Sequence, residues 1–158
     1  MGVMLGFIGE VYCKIDAKCR ILVPAKFLKQ MPKEAPNTLV INRGIENCLT
    51  LYTQQEWEKV TEPLKSLNEY DEEHRLFIRQ FYSQADILYF DSNNRIMISK
   101  NLMEYAKLNK EVVMLGYFKR IELWNKETYE QMLKGKETKS FEQMSKRLFA
   151  PSRSSDNG

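Results

Sequence analysis

The pattern Asp-x-x-x-Arg, flanked on both sides by apolar segments, occurs twice in this chain of 158 residues. The first copy runs from Asp16 to Arg20 and the second from Asp91 to Arg95, so both ends of the pattern recur after 75 residues. An apolar segment, a short polar stretch and a second apolar segment are typical of two strands joined by a tight turn. A duplication at constant offset constrains the whole architecture, because each copy should form the same supersecondary unit.

Both halves continue with the same kinds of element. Pro24 and Ser99 stand where a short helix should begin after each turn. The stretch from Thr53 to Glu56 fits a capping box, and the helix that follows should be kinked or divided at Pro63. Apolar runs bounded by turn residues predict a further pair of strands in each half, at 39–42 and 48–52 and again at 112–115 and 121–124.

These elements predict an α+β fold made of two tandem pseudo-repeats with short helices on the outside. We place the first repeat and a connecting helix at 1–70 and the second repeat with its leading helix at 71–134. Residues 135–158 form a polar, basic tail, whose end is expected to be disordered because it has too little apolar surface to offset the chain entropy lost on ordering. Four apolar residues of this tail have a spacing that would suit a helix: Phe141, Met144, Leu148 and Phe149.

The net charge of +3 is concentrated at one end of the chain. Residues 134–158 hold six basic and three acidic residues, whereas residues 1–133 hold 18 of each. Overall charge therefore argues neither for nor against a nucleic-acid partner, and only a local basic patch would. No apolar run is long enough to cross a membrane and no signal peptide is recognisable, so a cytoplasmic protein is expected. Three cysteines without a Cys-x-x-Cys motif predict reduced thiols, with no metal site and no cofactor.

The repeated turn permits two interpretations. An aspartate at the start of a turn can accept hydrogen bonds from its own backbone and can also hold the arginine four residues later, in which case the pair is only a structural staple. Alternatively, the aspartate fixes a loop that presents Lys18 and Arg20 outward. Arginine offers a rigid, planar set of donors that suits guanine edges and phosphates.

The residues around the first turn resemble the N-terminal signature of the MraZ family. The resemblance lies in the run from Gly9 to Phe27, in the segment from Arg43 to Leu49, in Glu56-Trp57 and in the second copy from Asp91 to Arg95, and it covers roughly residues 5–133. Members of this family are bacterial transcriptional regulators related to AbrB-type DNA-binding domains. The resemblance implies two interleaved repeats in one swapped-hairpin β-barrel, subunits that close into a homo-oligomeric ring, and nucleoid-associated binding of double-stranded DNA. The expected target is repeated G-rich boxes upstream of the protein's own gene, in the division and cell-wall gene cluster.

The resemblance also assigns roles to individual residues. The DNA-reading arginine of the family matches Arg20 and, in the second copy, Arg95, while Lys18 and Asn93 occupy the position of the family's turn lysine. Lys18 and Arg20 are therefore expected to dominate, because Asn93 lacks the charge. Asp16 and Asp91 would position the two turns.

Two positions depart from the family's Asp-x-x-Gly-Arg pattern. Cys19 and Asn94 stand where glycine is expected. Asparagine tolerates a positive φ well, but cysteine would be strained there by roughly 1–2 kcal/mol. Either the first turn has a different shape or it keeps the same shape under strain.

Two other classes of function compete with DNA binding. An enzyme with a Cys–His nucleophile pair would need the single histidine, His74, to lie near one of the cysteines, and no local pattern supports this. A module that binds only proteins, such as an antitoxin-like or scaffold protein, is compatible with the neutral body. Three aromatic residues, Tyr52, Trp57 and Trp124, are candidates for a base-stacking platform, but their positions favour core packing.

Overall fold

The computed structural model describes residues 5–34, 36–135 and 140–150. Contacts divide the chain into two compact units, Met1–Lys126 and Glu127–Gly158. The elements in chain order are β1 (Gly9–Lys14), β2 (Arg20–Leu22), α1 (Ala25–Leu28), β3 (Thr38–Arg43), β4 (Leu49–Tyr52), α2 (Gln54–Thr61), a 3-10 helix (Glu62–Ser66), α3 (Glu72–Ser83), β5 (Asp86–Tyr89), β6 (Arg95–Met97), α4 (Lys100–Tyr105), β7 (Glu111–Tyr117), β8 (Arg120–Asn125), α5 (Lys126–Lys134) and α6 (Phe141–Leu148).

Side-chain caps set the starts of the helices where the sequence predicts them. The Thr53 Oγ1 accepts a hydrogen bond from the backbone N–H of Glu56 at 3.2 Å, which begins α2. Ser99 caps α4 in the same way through the N–H of Leu102 at 3.4 Å. The break predicted at Pro63 is confirmed, because α2 gives way at this point to the 3-10 helix that contains the proline.

The first unit contains a six-stranded antiparallel sheet in the order β1-β7-β8-β4-β3-β5 and a two-stranded ladder of β2 with β6. The predicted pairs β3–β4 and β7–β8 are present, and β4 and β8 join the two pairs at the centre of the sheet. The fold is therefore mixed α and β with a mostly antiparallel sheet. Strands β1 and β5 lie at its two edges.

The strands on either side of each Asp-x-x-x-Arg turn do not form the simple hairpin that the local pattern predicts. Strand β1 pairs with β7 of the other half, β5 pairs with β3, and β2 pairs with β6. Between β1 and β2 the described residues form one isolated bridge, from Ile15 to Ile21. The prediction of a local hairpin was wrong because alternation identifies a strand but does not identify its partner.

The exchanged pairings relate the two repeats by an approximate two-fold axis. Ile21 lies opposite Ile96 in the β2–β6 ladder, and Thr50 lies opposite Glu122 at the centre of the large sheet. The main core contains apolar side chains from both halves, including Phe27, Ile41, Leu51, Ile96, Ile98, Leu102, Met114 and Leu123. Each repeat buries its apolar face against the other repeat, so the first unit contains one core that both repeats share.

The aromatic residues named above pack inside this unit. Tyr52 and Trp124 are only 6% and 2% exposed, and the ring of Trp57 stacks on Phe81 with a centroid separation of 5.5 Å. The prediction of core packing is confirmed for Tyr52 and Trp124, and Trp57 belongs to the same aromatic layer through its 5.6 Å contact with Tyr52.

The second unit contains α6, where the spacing of apolar residues indicates a helix. Ser140 and Gln143 form a reciprocal capping box at its start. The end of the tail, at 151–158, lies outside the described residues, and so does the segment 136–139. Among the helices that the structure describes, none has the length and apolar character to span a membrane.

Candidate nucleic-acid interface

Asp16 closes the first turn through both of its carboxylate oxygens. Its Oδ1 accepts hydrogen bonds from the backbone N–H groups of Lys18 and Arg20, each at 2.9 Å. Its Oδ2 accepts the Nε–H of Arg20 at 2.8 Å. The hydrogen bonds expected if the aspartate stabilises the turn are therefore present. They fix the arginine side chain as well as the backbone.

The second turn repeats this arrangement. The Oδ1 of Asp91 accepts the N–H groups of Asn93 at 2.8 Å and Arg95 at 2.9 Å, and its Oδ2 accepts the Nε–H of Arg95 at 2.9 Å. In both turns the backbone N–H of the arginine is the main reason that the pKa of the aspartate lies below its ordinary value. Both carboxylates are consequently charged near neutral pH.

The positions that lack the family's glycine keep the left-handed backbone. The φ angle is 60° at Cys19 and 60° at Asn94. Asparagine adopts this region readily, whereas another L-residue pays about 1–2 kcal/mol. Of the two possibilities that the sequence left open, the first turn has the same shape as the second and Cys19 accepts the strain.

The β2–β6 ladder places the two turns side by side. The backbone N–H of Ile98 donates to the carbonyl of Cys19 at 2.9 Å, and the equivalent bond, also 2.9 Å, joins Val23 to Asn94. Each turn is thus hydrogen-bonded to the strand that follows the other turn. No local pattern predicts these two contacts, because their partners are 79 and 71 residues apart in the sequence.

Each guanidinium group is held at Nε and makes no hydrogen bond to a described residue at its Nη atoms, although Nη1 of Arg95 forms a long ion pair with Asp16 of the other turn. The side chains of Arg20 and Arg95 are each 28% exposed. Within the described part of the chain, the Nη groups of both arginines lack a hydrogen-bond acceptor, and the carboxylate of Asp16 is 3.9 Å from the Nη1 of Arg95. A guanidinium fixed in this way can offer two parallel donors to a guanine edge or a phosphate.

The remaining turn residues are also accessible. Lys18 and Asn93 are exposed, so both predicted turn positions can reach a ligand. The structure adds Leu22 and Met97, which are 58% and 62% exposed and stand two residues beyond each arginine. Our sequence analysis missed them, although period-2 alternation places residues i and i+2 on one face of a strand.

The groups required by a Cys–His enzyme lie in unsuitable surroundings. The Nδ1 of His74 accepts the backbone N–H of Asn68 at 3.0 Å. Burial raises the pKa of the Cys13 thiol to about 11, and burial together with the nearby carboxylate of Glu122 raises that of Cys48. Both thiols are therefore protonated and poor nucleophiles at neutral pH. Within the described ranges, the His, Cys, Asp and Glu side chains form no cluster of three or more that would hold a metal ion.

The comparison with known proteins also divides the chain into two similar halves. The sequence profile of the family described as "MraZ protein, putative antitoxin-like" matches twice, at residues 7–80 and 81–151. Each match contains one Asp-x-x-x-Arg turn, so the two profile copies correspond to the two halves related by the approximate two-fold axis.

Several relatives are similar over most of their length. A protein of Cytophaga hutchinsonii named transcriptional regulator MraZ is 35% identical over 147 residues, which cover 93% of this chain and 97% of the relative. The protein of the same name from Desulforamulus reducens is 38% identical over 142 residues, covering 90% and 96% of the two chains. That of Halothermothrix orenii is 42% identical over 119 residues, covering 75% and 80%. With both profile copies matched and relatives of this similarity, the chain belongs to the MraZ family.

Proposed function

We propose that this protein is a sequence-specific DNA-binding transcriptional regulator that works in the cytoplasm. The observation that supports this most strongly is the pair of adjacent turns, each of which fixes an arginine at Nε and leaves its Nη donors open. The names of the relatives, transcriptional regulator MraZ, support the same function. In this proposal Arg20 and Arg95 read base edges, while Lys18 and Asn93 contact the DNA beside them.

The proposal extends to the architecture. Two repeats that exchange strands in one chain suit a fused counterpart of an AbrB-type swapped-hairpin dimer, a small β-barrel with short helices on the outside. The exchanged pairs β1–β7 and β5–β3 and the shared β2–β6 ladder support this arrangement. Fusion keeps the two turns at a fixed separation, so that one chain presents both arginines together.

One protomer makes few base contacts, so useful affinity requires several protomers. A good bidentate contact is worth about 1–3 kcal/mol, and linking sites multiplies affinity by roughly 10²–10⁴. We therefore propose a homo-oligomeric ring that binds repeated G-rich boxes upstream of its own gene, in the division and cell-wall cluster. An apolar groove of about 590 Å³, which includes Trp57, Ile87 and Tyr89, and the free edge of β5 support self-association.

Fluorescence anisotropy on a duplex of the region upstream of the protein's own gene tests the DNA-binding function. We expect Arg20→Ala to abolish specific binding while light scattering shows the oligomer of the unmodified protein. Arg95→Ala should weaken binding less, since the second turn lacks the lysine. Arg79→Ala is the matched control, because Arg79 is an exposed arginine on α3 outside both turns. Unchanged affinity in Arg20→Ala would refute the proposed role of the turn.

The alternative is an interaction module that binds proteins and no DNA. Its support is the family description "putative antitoxin-like" together with the exposed apolar side chains around the groove, among them Ile87 at 55% and Tyr89 at 68%. Salt separates the two functions. A DNA-binding protein loses affinity with a log–log slope of about 0.9 per phosphate contact, whereas an interaction module shows no DNA binding at any ionic strength.

A further inference from the structure

The loop between α4 and β7, residues 106–110, lies directly beside the first turn. The backbone N–H of Ile15 donates to the carbonyl of Lys110 at 2.9 Å, which ties the loop to the residue that precedes Asp16. A shallow groove of about 440 Å³ separates the two segments and is lined by residues from both of them, including Lys14, Asp16, Ala17, Asn109 and Lys110. The loop belongs to the second repeat, so only the exchange of strands brings it to the first turn.

Three lysines surround this turn without a carboxylate partner. Lys14, Lys18 and Lys110 are exposed, and within the described part of the chain none of them forms an ion pair. Glu111 stands directly opposite Lys14 in the β1–β7 register, but its carboxylate pairs with Lys126 at 3.4 Å. The positive charge of the three ammonium groups is therefore available to an external anion.

The equivalent positions around the second turn carry no positive charge. The backbone N–H of Phe90 donates to the carbonyl of Asn37 at 3.2 Å, which is the counterpart of the bond from Ile15 to Lys110. Asn37 thus replaces Lys110, Tyr89 replaces Lys14 and Asn93 replaces Lys18. The backbone geometry of the two turns agrees closely, whereas their surroundings differ by three positive charges.

We propose that Lys14 and Lys110 contact DNA phosphates and that, together with Lys18, they make the first turn bind DNA more strongly than the second turn. This inference rests on the proposed DNA-binding function and deepens it. Phosphate contacts add affinity that is independent of sequence and fix the register of the protein on the duplex. Arg20 and Arg95 read bases, while the lysine cluster holds the backbone next to Arg20 alone.

The unequal charge gives each protomer a direction on the DNA. A fully symmetric pair of turns would bind a box equally well in two orientations related by the two-fold axis. With three lysines beside the first turn only, the orientation in which these lysines contact more phosphates is favoured. Repeated boxes should therefore be bound with all protomers facing the same way.

The test compares full-length Lys14→Ala/Lys110→Ala with the unmodified protein on two duplexes, the region upstream of its own gene and a random sequence of equal length. Anisotropy titrations at several salt concentrations should show a smaller log–log salt slope, by about 0.9 for each lost contact and therefore about 1.8 for each protomer that engages the DNA. Affinity should fall by the same factor on both duplexes, so the ratio of specific to non-specific binding stays constant. Arg20→Ala differs, because it should reduce that ratio.

Lys119→Ala provides the matched control for the loss of one lysine. Lys119 follows β7 at the end opposite Lys110, and this seven-residue strand spans roughly 20–24 Å. Its salt slope should equal that of the unmodified protein. A reciprocal variant, Asn37→Lys/Asn93→Lys, adds charge around the second turn and should enlarge the slope by a similar amount, about 1.8 for each engaged protomer.

The outcomes separate this inference from the proposed function. If the unmodified protein binds the upstream duplex and Lys14→Ala/Lys110→Ala retains the full salt slope, the lysine contacts are refuted and the DNA-binding function stands. If the unmodified protein binds neither duplex at low salt, both are refuted. A smaller salt slope in Lys14→Ala/Lys110→Ala, together with a larger one in the reciprocal variant, would support stronger DNA binding by the first turn.

Discussion

Ile21 and Ile96 face each other across the ladder of β2 and β6, and their side chains are 0% and 1% exposed. Each isoleucine follows directly after the arginine of its own turn. The contact therefore joins the two halves of the fold at the point where the candidate DNA contacts begin. We therefore expect stability and the proposed DNA binding to be coupled here, because whatever loosens this pair also loosens the separation of Arg20 and Arg95.

Truncation of this pair tests its importance for the fold. Ile96→Ala removes a fully buried side chain and should lower the free energy of unfolding by about 2–5 kcal/mol. Urea denaturation followed by circular dichroism measures the change. Leu22→Ala, one position from Ile21 but 58% exposed, should change stability by less than about 0.5 kcal/mol. Equal effects of the two variants would contradict the assignment of Ile96 to the shared core.

The left-handed backbone at position 19 predicts an unusual gain from glycine. Cys19→Gly removes a strain of about 1–2 kcal/mol, while the greater freedom of glycine in the unfolded chain costs about 0.4–1 kcal/mol. The net expectation is a more stable protein, by roughly 0.5–1 kcal/mol in urea denaturation. Cys19→Val should instead lower stability, since a β-branched residue fits φ of 60° poorly. A destabilised glycine variant would show that the thiol makes a contribution larger than the strain.

The two turn aspartates predict a loss of stability in acid. Their pKa values are lowered in the folded protein, mainly by the backbone N–H groups of Arg20 and Arg95, so folding favours the carboxylate form. This contribution is complete above the unfolded pKa of about 3.9 and is lost as the pH falls through the lower folded pKa.

Urea midpoints measured between about pH 5 and pH 2 should therefore fall less steeply in Asp16→Asn/Asp91→Asn than in the unmodified protein. Asparagine has no charge to lose over this range but keeps one side-chain oxygen as an acceptor. Parallel curves for the two proteins would mean that other carboxylates account for the acid sensitivity.

An ion pair between the repeats offers a separate test of their interdependence. The Arg120 Nη2–H donates to Glu56 Oε1 at 2.6 Å, and the Glu56 side chain is only 12% exposed. Burial disfavours the charge on Arg120, but the hydrogen bond and the charge of Glu56 outweigh this effect and raise the pKa of the guanidinium. Loss of Glu56 leaves the charge of Arg120, whose side chain is only 27% exposed, without a carboxylate among the described residues and with contacts to the rings of Tyr52 and Tyr117 alone.

Glu56→Ala should accordingly destabilise the protein by about 2–4 kcal/mol. Glu62→Ala is the matched control, because Glu62 pairs with Lys65 at 3.1 Å in an exposed position where an ion pair contributes at most about 1 kcal/mol. Thermal denaturation at neutral pH compares the two variants. A similar loss of stability in both variants would show that the Glu56–Arg120 pair contributes no more than an exposed ion pair.

Local chemistry allowed much of this protein to be predicted from its sequence. The turn from Asp16 to Arg20 depends on hydrogen bonds between residues no more than four apart, so the pattern itself specifies them. The cap at Thr53 and the break at Pro63 are local for the same reason. The repeat of 75 residues then indicates that the second turn has the same local structure as the first.

The tertiary structure alone decided how the strands beside each turn pair and what surrounds each turn. Alternating apolar residues mark β1 as a strand, but they do not specify β7 as its partner, because that choice depends on how both halves bury their apolar faces together. The same exchange places Lys110 beside Ile15 and leaves Asn37 in the equivalent position near Phe90. Hydrogen bonds within a turn follow from neighbouring residues, whereas the charge around a turn depends on distant segments that only the folded core brings together.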